Sequence, residues 1–228
     1  MIKRKIFIAF DKSKIREIKH ITKYLDNKSL NLIPKFGLEF FYSPAGRLFL
    51  KKFNRQFWLD LKINDVPNTT EKAIKSLKDL KNIRYLTVHA NSGAGSLKAA
   101  KKASPKKIKV FGVTVLTSID KQNFQKIGYS KSINEIVKKQ ADLIYKCGLD
   151  GIICSGSEAR EIKKKYKKLM VITPGIRLPG DKSNDQKRVN SPREAFFKNN
   201  VDGIVIGRSI TSGDIKKNID KLVLHLNR

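Results

Sequence analysis

WLDLKINDVPNT, residues 58–69, is the densest chemical signal in the chain. Gln56–Leu61 reads as a β-strand. Asp60 and Lys62 lie two positions apart at its end, so strand alternation points both side chains to the same side. An acid and a base inside a sheet are costly unless they pair. Asp65 adds a carboxylate just downstream, and Lys35, at the end of the preceding strand, brings a second ammonium. Two carboxylates and two ammoniums then alternate in one small space. Taken alone, D-x-K-x-x-D also describes a salt bridge closing a strand end.

Outward from this strand, β-rich runs alternate with amphipathic helical stretches along the whole chain. The predicted strands are Lys5–Phe10, Leu32–Phe36, Gln56–Leu61, Tyr85–Ala90, Ile108–Leu116, Gly151–Cys154, Leu169–Thr173 and Gly203–Ile206. Between them lie patterns such as SKIREIKHITKYL, TTEKAIKSLKDL and SINEIVKKQADLIYKCG. Such alternation predicts an α/β fold with a parallel sheet and outer helices, and this many units in one chain of 228 residues fit a closed (β/α)8 TIM barrel. No linker or second composition interrupts residues 1–228, so a single barrel domain is expected. In such a barrel, chemistry gathers where strands end. Polar residues stand there: Asp11 after IFIAF, Lys35 after LIP, Asp60 and Lys62 at the end of QFWL, Thr117 after VFGVTVL, Arg177 after MVITPGI, and Gly207 with Arg208 after GIVI.

The composition narrows the class further. Hydrophobic residues at 40% and aromatics at 8% support a packed core. No run approaches the roughly 18 apolar residues of a membrane span, and the apolar N-terminal run is cut short by Asp11 and Lys12, so a cytoplasmic protein is expected. Cys147 and Cys154 sit in apolar contexts and read as buried free thiols. His20, His89 and His225 are scattered and form no ligand cluster, so no metal is expected. The net charge of +29 points toward anionic partners. Its lysines are spread over every helix, and the chain is also rich in Asn and Ile, which is the pattern of compositional drift. A basic RNA-binding protein has only this charge in its favour, because no recognition motif or interleaved aromatic signature accompanies it. No specific nucleic acid and no membrane partner are expected.

The longer string Asp60-Leu61-Lys62-Ile63-Asn64-Asp65-Val66-Pro67-Asn68-Thr69 resembles the D-x-K-x-x-D-I-P-N-T signature of the orotidine 5′-phosphate decarboxylase family. Further matches follow in order: Asp11, Lys35 in PKFG, Thr117 in VLTS, Pro174-Gly175-Ile176-Arg177, Asp185-Gln186-Lys187-Arg188, and Ile206-Gly207-Arg208. The spacing of Asp185-Gln186-Lys187-Arg188 resembles that of the bacterial branch. Two departures stand out. Pro34 sits inside a strand that should be central, where it predicts a local break. The segment Arg177-Leu178-Pro179-Gly180 has proline where some relatives carry a phosphate-binding glutamine, leaving Gln186 as the lid glutamine.

The resemblance implies decarboxylation of orotidine 5′-phosphate (OMP) to UMP in pyrimidine biosynthesis, with no cofactor. It implies that Lys62 stabilises and protonates a carbanion at C6 of the pyrimidine, with Asp60 beside the departing carboxylate. Asp65 and Thr69 would enter the site of a neighbouring subunit, so a homodimer with shared sites is expected. Lys35 and Asp11 would bind ribose hydroxyls, and Thr117 would bind substrate. Arg208, the Gly207 backbone, Arg177 and Gln186 would hold the phosphate, the last two from a long lid. His89, in TVHANSGAG, reads as a structural hydrogen-bonder, and Ser92-Gly93-Ala94-Gly95 as a helix start. Sister barrels that share D-x-K-x-x-D but use Mg²⁺ and an enediolate lack the P-N-T, P-G-I-R and D-Q-K-R strings.

Overall fold

The computed structural model describes residues 4–181 and 189–227. Eight parallel strands close into a barrel in chain order, with helices between them, so the fold is a (β/α)8 barrel. The strands are β1 (Lys5–Ala9), β2 (Asn31–Phe36), β3 (Phe57–Ile63), β4 (Ile83–His89), β5 (Lys109–Val113), β6 (Gly151–Ile153), β7 (Met170–Ile176) and β8 (Gly203–Ile206). One face of each strand fills the barrel interior. Phe7, Trp58, Tyr85 and Phe111 form its floor, with ring centroids 4.7 Å apart for Phe7–Trp58 and 5.6 Å for Trp58–Phe111, both edge to face. Each such contact contributes about 0.5–1.5 kcal/mol beyond burial. The opposite face packs on the helices and forms the larger core, from Ile6 and Ile8 through Leu86 and Ile204.

The N-terminal mouth is held by a repeated device. Leu149-Asp150-Gly151-Ile152-Ile153 and Val201-Asp202-Gly203-Ile204-Val205 both open a strand with an aspartate. Asp150 Oδ2 accepts from the Val110 N–H at 2.8 Å, and Asp202 Oδ2 accepts from the Val171 N–H at 2.8 Å. Each carboxylate therefore caps the start of the preceding strand. Each also receives a lysine from an outer helix: Lys101, from Gly93–Ala103, reaches Asp150 at 2.6 Å, and Lys163, from Gly156–Lys165, reaches Asp202 at 2.6 Å. The glycines that follow leave no room for a Cβ, which would stand 2.6 Å from the Met170 carbonyl at position 151 and 3.0 Å from the Lys5 carbonyl at position 203.

Three strand expectations need correction. Pro34 does not break β2, whose register with β1 runs through Ile8↔Pro34 and Ala9↔Lys35. The Lys35 carbonyl accepts from the Phe10 N–H toward β1, so the ring nitrogen of Pro34 faces β3, where pairing starts only at Lys35↔Trp58. The missing donor costs no ladder bond there. The fifth strand ends at Val113 rather than Leu116, because β6 ends at Ile153 and the Thr114 N–H and hydroxyl both turn to that residue's carbonyl. The seventh runs on to Ile176, past Pro174, by a register shift in which Gly175 takes φ +73°, a conformation that favours glycine.

Candidate active site

At the C-terminal mouth a cavity of about 250 Å³ opens over the aromatic floor. Asp11, Lys35, Asp60, Lys62, Thr117, Arg177, Gly207 and Arg208 all line it, each from a different strand end except the pair on β3 and the pair after β8. These residues are the ones expected from the strand-end pattern.

Asp60 is the hub. Its Oδ2 accepts from Lys35 Nζ at 3.0 Å and from Lys62 Nζ at 2.9 Å, and its Oδ1 accepts from Thr87 Oγ1 at 2.8 Å. Lys35 also lies 3.8 Å from Asp11. The charges thus alternate along a line, Asp11, Lys35, Asp60, Lys62. Asp60 and Lys35 are buried, while the Lys62 side chain is 34% exposed at the cavity. Burial alone raises the Asp60 pKa, but the ammoniums of Lys35 and Lys62 outweigh it and hold the carboxyl at about 2. Burial likewise pushes Lys35 down, and the carboxylates of Asp60 and Asp11 reverse this and leave it above the ordinary lysine value. Both groups are therefore charged at neutral pH.

The route by which Asp60 and Lys62 meet differs from the alternation argument. Pairing of β3 with β4 jumps from Leu59↔Leu86 to Ile63↔Val88, so residues 60–62 bulge opposite Thr87 alone. Lys62 occupies the left-handed region at φ +48°. Its N–H donates to Thr87 Oγ1 at 3.0 Å rather than to a ladder carbonyl. The bulge, not the period of a regular strand, sets the lysine beside Asp60. Thr87 itself was missed, because a threonine in IRYLTVH reads as a β-branched strand residue. Its one signal was being a polar side chain on the inward face, in step with Tyr85.

Asp65 and Thr69 do not join the cluster within one chain. Both are exposed. Asp65 Oδ1 accepts from the Val66 N–H at 2.7 Å, and the Asp65 carbonyl accepts from Ser96 Oγ at 2.6 Å. Pro67 then starts the helix Pro67–Lys75 at its first turn, where its missing N–H costs nothing. Arg177 and Arg208 both line the cavity. Burial first, then the neighbouring Arg208 charge, lowers the Arg177 pKa, though a guanidinium stays charged. Gln186 and the rest of Asp185–Arg188 lie outside the described residues, as does the middle of the expected lid. His89 accepts from the Asn91 N–H through Nδ1 at 3.2 Å, and burial followed by the Lys62 charge lowers its pKa, which favours the neutral ring. The next helix begins at Gly93, as read. Cys147 and Cys154 are buried free thiols. Among the described residues, no group of three or more His, Cys, Asp or Glu side chains is arranged to hold a metal, and no helix is long and apolar enough to cross a membrane.

The family model for orotidine 5′-phosphate decarboxylase / HUMPS matches residues 4–219. The chain belongs to this family. It is 40% identical over 227 residues to an orotidine 5′-phosphate decarboxylase of Buchnera aphidicola subsp. Schizaphis graminum, covering 96% of this chain and 93% of that protein. It is 36% identical over 234 residues to the protein of that name from Ehrlichia chaffeensis, covering 100% and 99%. A crystal structure of orotidine 5′-phosphate decarboxylase from Lactobacillus acidophilus superposes with a TM-score of 0.82 at 29% identity, covering 99% of this chain and 100% of that one. The family is one of enzymes, and these relatives are carboxy-lyases by name.

Proposed function

We propose that the chain decarboxylates OMP to UMP without metal or cofactor, as a cytoplasmic step of pyrimidine biosynthesis. One observation carries the reading: a single cavity holds an alternating line of charges ending at Lys62 and, on other strand ends, the guanidinium pair Arg177 and Arg208. A nucleoside monophosphate with a carboxylate on its base has the matching polarity, an anionic ring substituent at one end and a phosphate dianion at the other.

Loss of CO₂ breaks the bond to C6 and leaves the electron pair in the ring plane, where the π-system delocalises it poorly. A cation already fixed beside C6 stabilises that charge as it develops. Lys62 supplies the cation, then gives C6 a proton and is reprotonated from water. Asp60 orients the Lys62 ammonium, and Lys35 and Asp11 bind the ribose. Thr117 contacts the substrate from the end of the β5 segment. Arg208 and the Gly207 backbone hold phosphate from the rigid barrel, with Arg177 and Gln186 closing over it. Asp65 and Thr69 act across a homodimer. Their exposure beside Val66, which is 62% exposed, supports this role.

The test compares OMP with the truncated nucleoside orotidine. Arg208→Ala should lower kcat/KM for OMP by at least about 100-fold, or ~2.7 kcal/mol, since a charge-assisted phosphate contact is lost. It should leave orotidine turnover within about threefold. Equal loss for both substrates makes Arg208 structural, and no preference of the wild type for OMP removes the nucleotide reading.

A further inference from the structure

We infer that Thr87 is a positioning residue for the reaction, holding Asp60 and the left-handed backbone of Lys62 in one geometry through a single hydroxyl. This rests on the reading that Lys62 carries the chemistry. Thr87 is fully buried on the inner face of β4. A buried hydroxyl needs partners, and Thr87 finds both on β3. It donates to Asp60 Oδ1 at 2.8 Å and accepts from the Lys62 N–H at 3.0 Å. It is the one β4 residue opposite the three-residue bulge, between Leu86↔Leu59 and Val88↔Ile63.

The geometry needs such a clamp. A lysine at φ +48° is strained and persists only where its surroundings over-determine it. Without the bulge, Lys62 would return to the ladder, and its amide would bond a β4 carbonyl. Its Nζ would then no longer be set by the same two residues that set Asp60. The Thr87 hydroxyl ties the backbone of the acting residue to the carboxylate that orients its ammonium. Asp60 has two oxygens, and the lysines share Oδ2, so Thr87 also fixes the rotation of the carboxylate by occupying Oδ1. Thr87 is fully buried and is not among the residues that line the cavity. Its effect belongs in kcat and not in binding.

Three variants separate this from a merely structural threonine. Thr87→Val keeps the shape and removes the hydroxyl, Thr87→Ser keeps the hydroxyl, and Thr87→Cys keeps the volume with a weak donor. Trp58, the one tryptophan of the chain, lines the cavity, so its fluorescence is the probe for UMP binding. Thr87→Val should lose at least about 30-fold in kcat per UMP-binding site while KM for OMP and the UMP Kd stay within about threefold. Thr87→Ser should recover kcat to within about threefold of wild type, and Thr87→Cys should fall between. Deuterium exchange of the Lys62 amide should quicken at least about tenfold in Thr87→Val and not in Thr87→Ser. A valine variant with near-wild-type kcat, a loss confined to KM, or a serine variant as slow as valine overturns the proposal. So does wild-type kcat in Thr87→Cys, which decides the matter if the valine variant does not fold. If the wild-type protein leaves OMP untouched, the reading of the reaction fails instead, and exchange at Lys62 alone decides whether Thr87 holds that backbone.

Discussion

Asp60 is buried, yet it stays ionised because two ammoniums share one of its oxygens and a hydroxyl takes the other. That balance has a pH signature. The folded-state pKa of about 2 lies below the ordinary aspartate value, so the carboxylate stabilises the fold above about pH 4 and the contribution is lost as pH falls through about 2. The contribution is on the order of 2 kcal/mol. Denaturant midpoints measured between pH 5 and 2 should fall with a slope that Asp60→Asn reduces; an unchanged slope means that Asp60 does not titrate in this window. At neutral pH, Asp60→Asn should itself cost about 3 kcal/mol or more, because it leaves buried Lys35 without its main counter-charge. Lys62 carries the sharper prediction. If its ammonium stabilises the carbanion and delivers the proton, Lys62→Ala should lower kcat by at least about 1000-fold, or ~4 kcal/mol, with the fold and UMP binding retained. Retention of a tenth of kcat removes it from that role.

Among the elements, the strands were legible as short, mostly apolar runs, and the ends of β1, β2, β3, β7 and β8 were marked by a charge or a glycine at or just after the last strand residue. What was not legible depends on partners in other strands. The juxtaposition of Asp60 and Lys62 was expected from regular alternation and instead arises from a bulge, which no local pattern marks. Thr87 matters only because it lies opposite that bulge. Pro34 signalled a break that the short pairing of β2 with β3 makes unnecessary. Asp150 and Asp202 each precede a glycine with no further local mark, because their work is done on the preceding strand. That work is testable. Asp150→Ala orphans the buried Val110 N–H and frees Lys101, and should cost about 2–3 kcal/mol, lowering Tm by roughly 5 °C or more. Asp202→Ala should do the same through Val171 and Lys163. Activity per folded molecule should not change, since both sit at the mouth opposite the cavity; a drop in kcat at full folding contradicts the assignment of this mouth to stability.

For the whole molecule, one chain supplies the charge line and the guanidinium pair but leaves Asp65 and Thr69 on its exposed surface. If they complete a neighbour's site, mixing inactive Asp65→Ala with inactive Lys62→Ala protein should restore activity after subunit exchange, through heterodimers with one intact site. No recovery, with exchange confirmed by mass spectrometry, makes the sites independent. The central claim is that this barrel decarboxylates OMP by fixed charge alone, and one measurement tests it most directly: OMP absorbance followed with purified protein in excess EDTA. The account predicts loss of OMP absorbance with stoichiometric UMP, at a rate that added Mg²⁺ does not change. Intact OMP, or turnover that EDTA abolishes and Mg²⁺ restores, contradicts it.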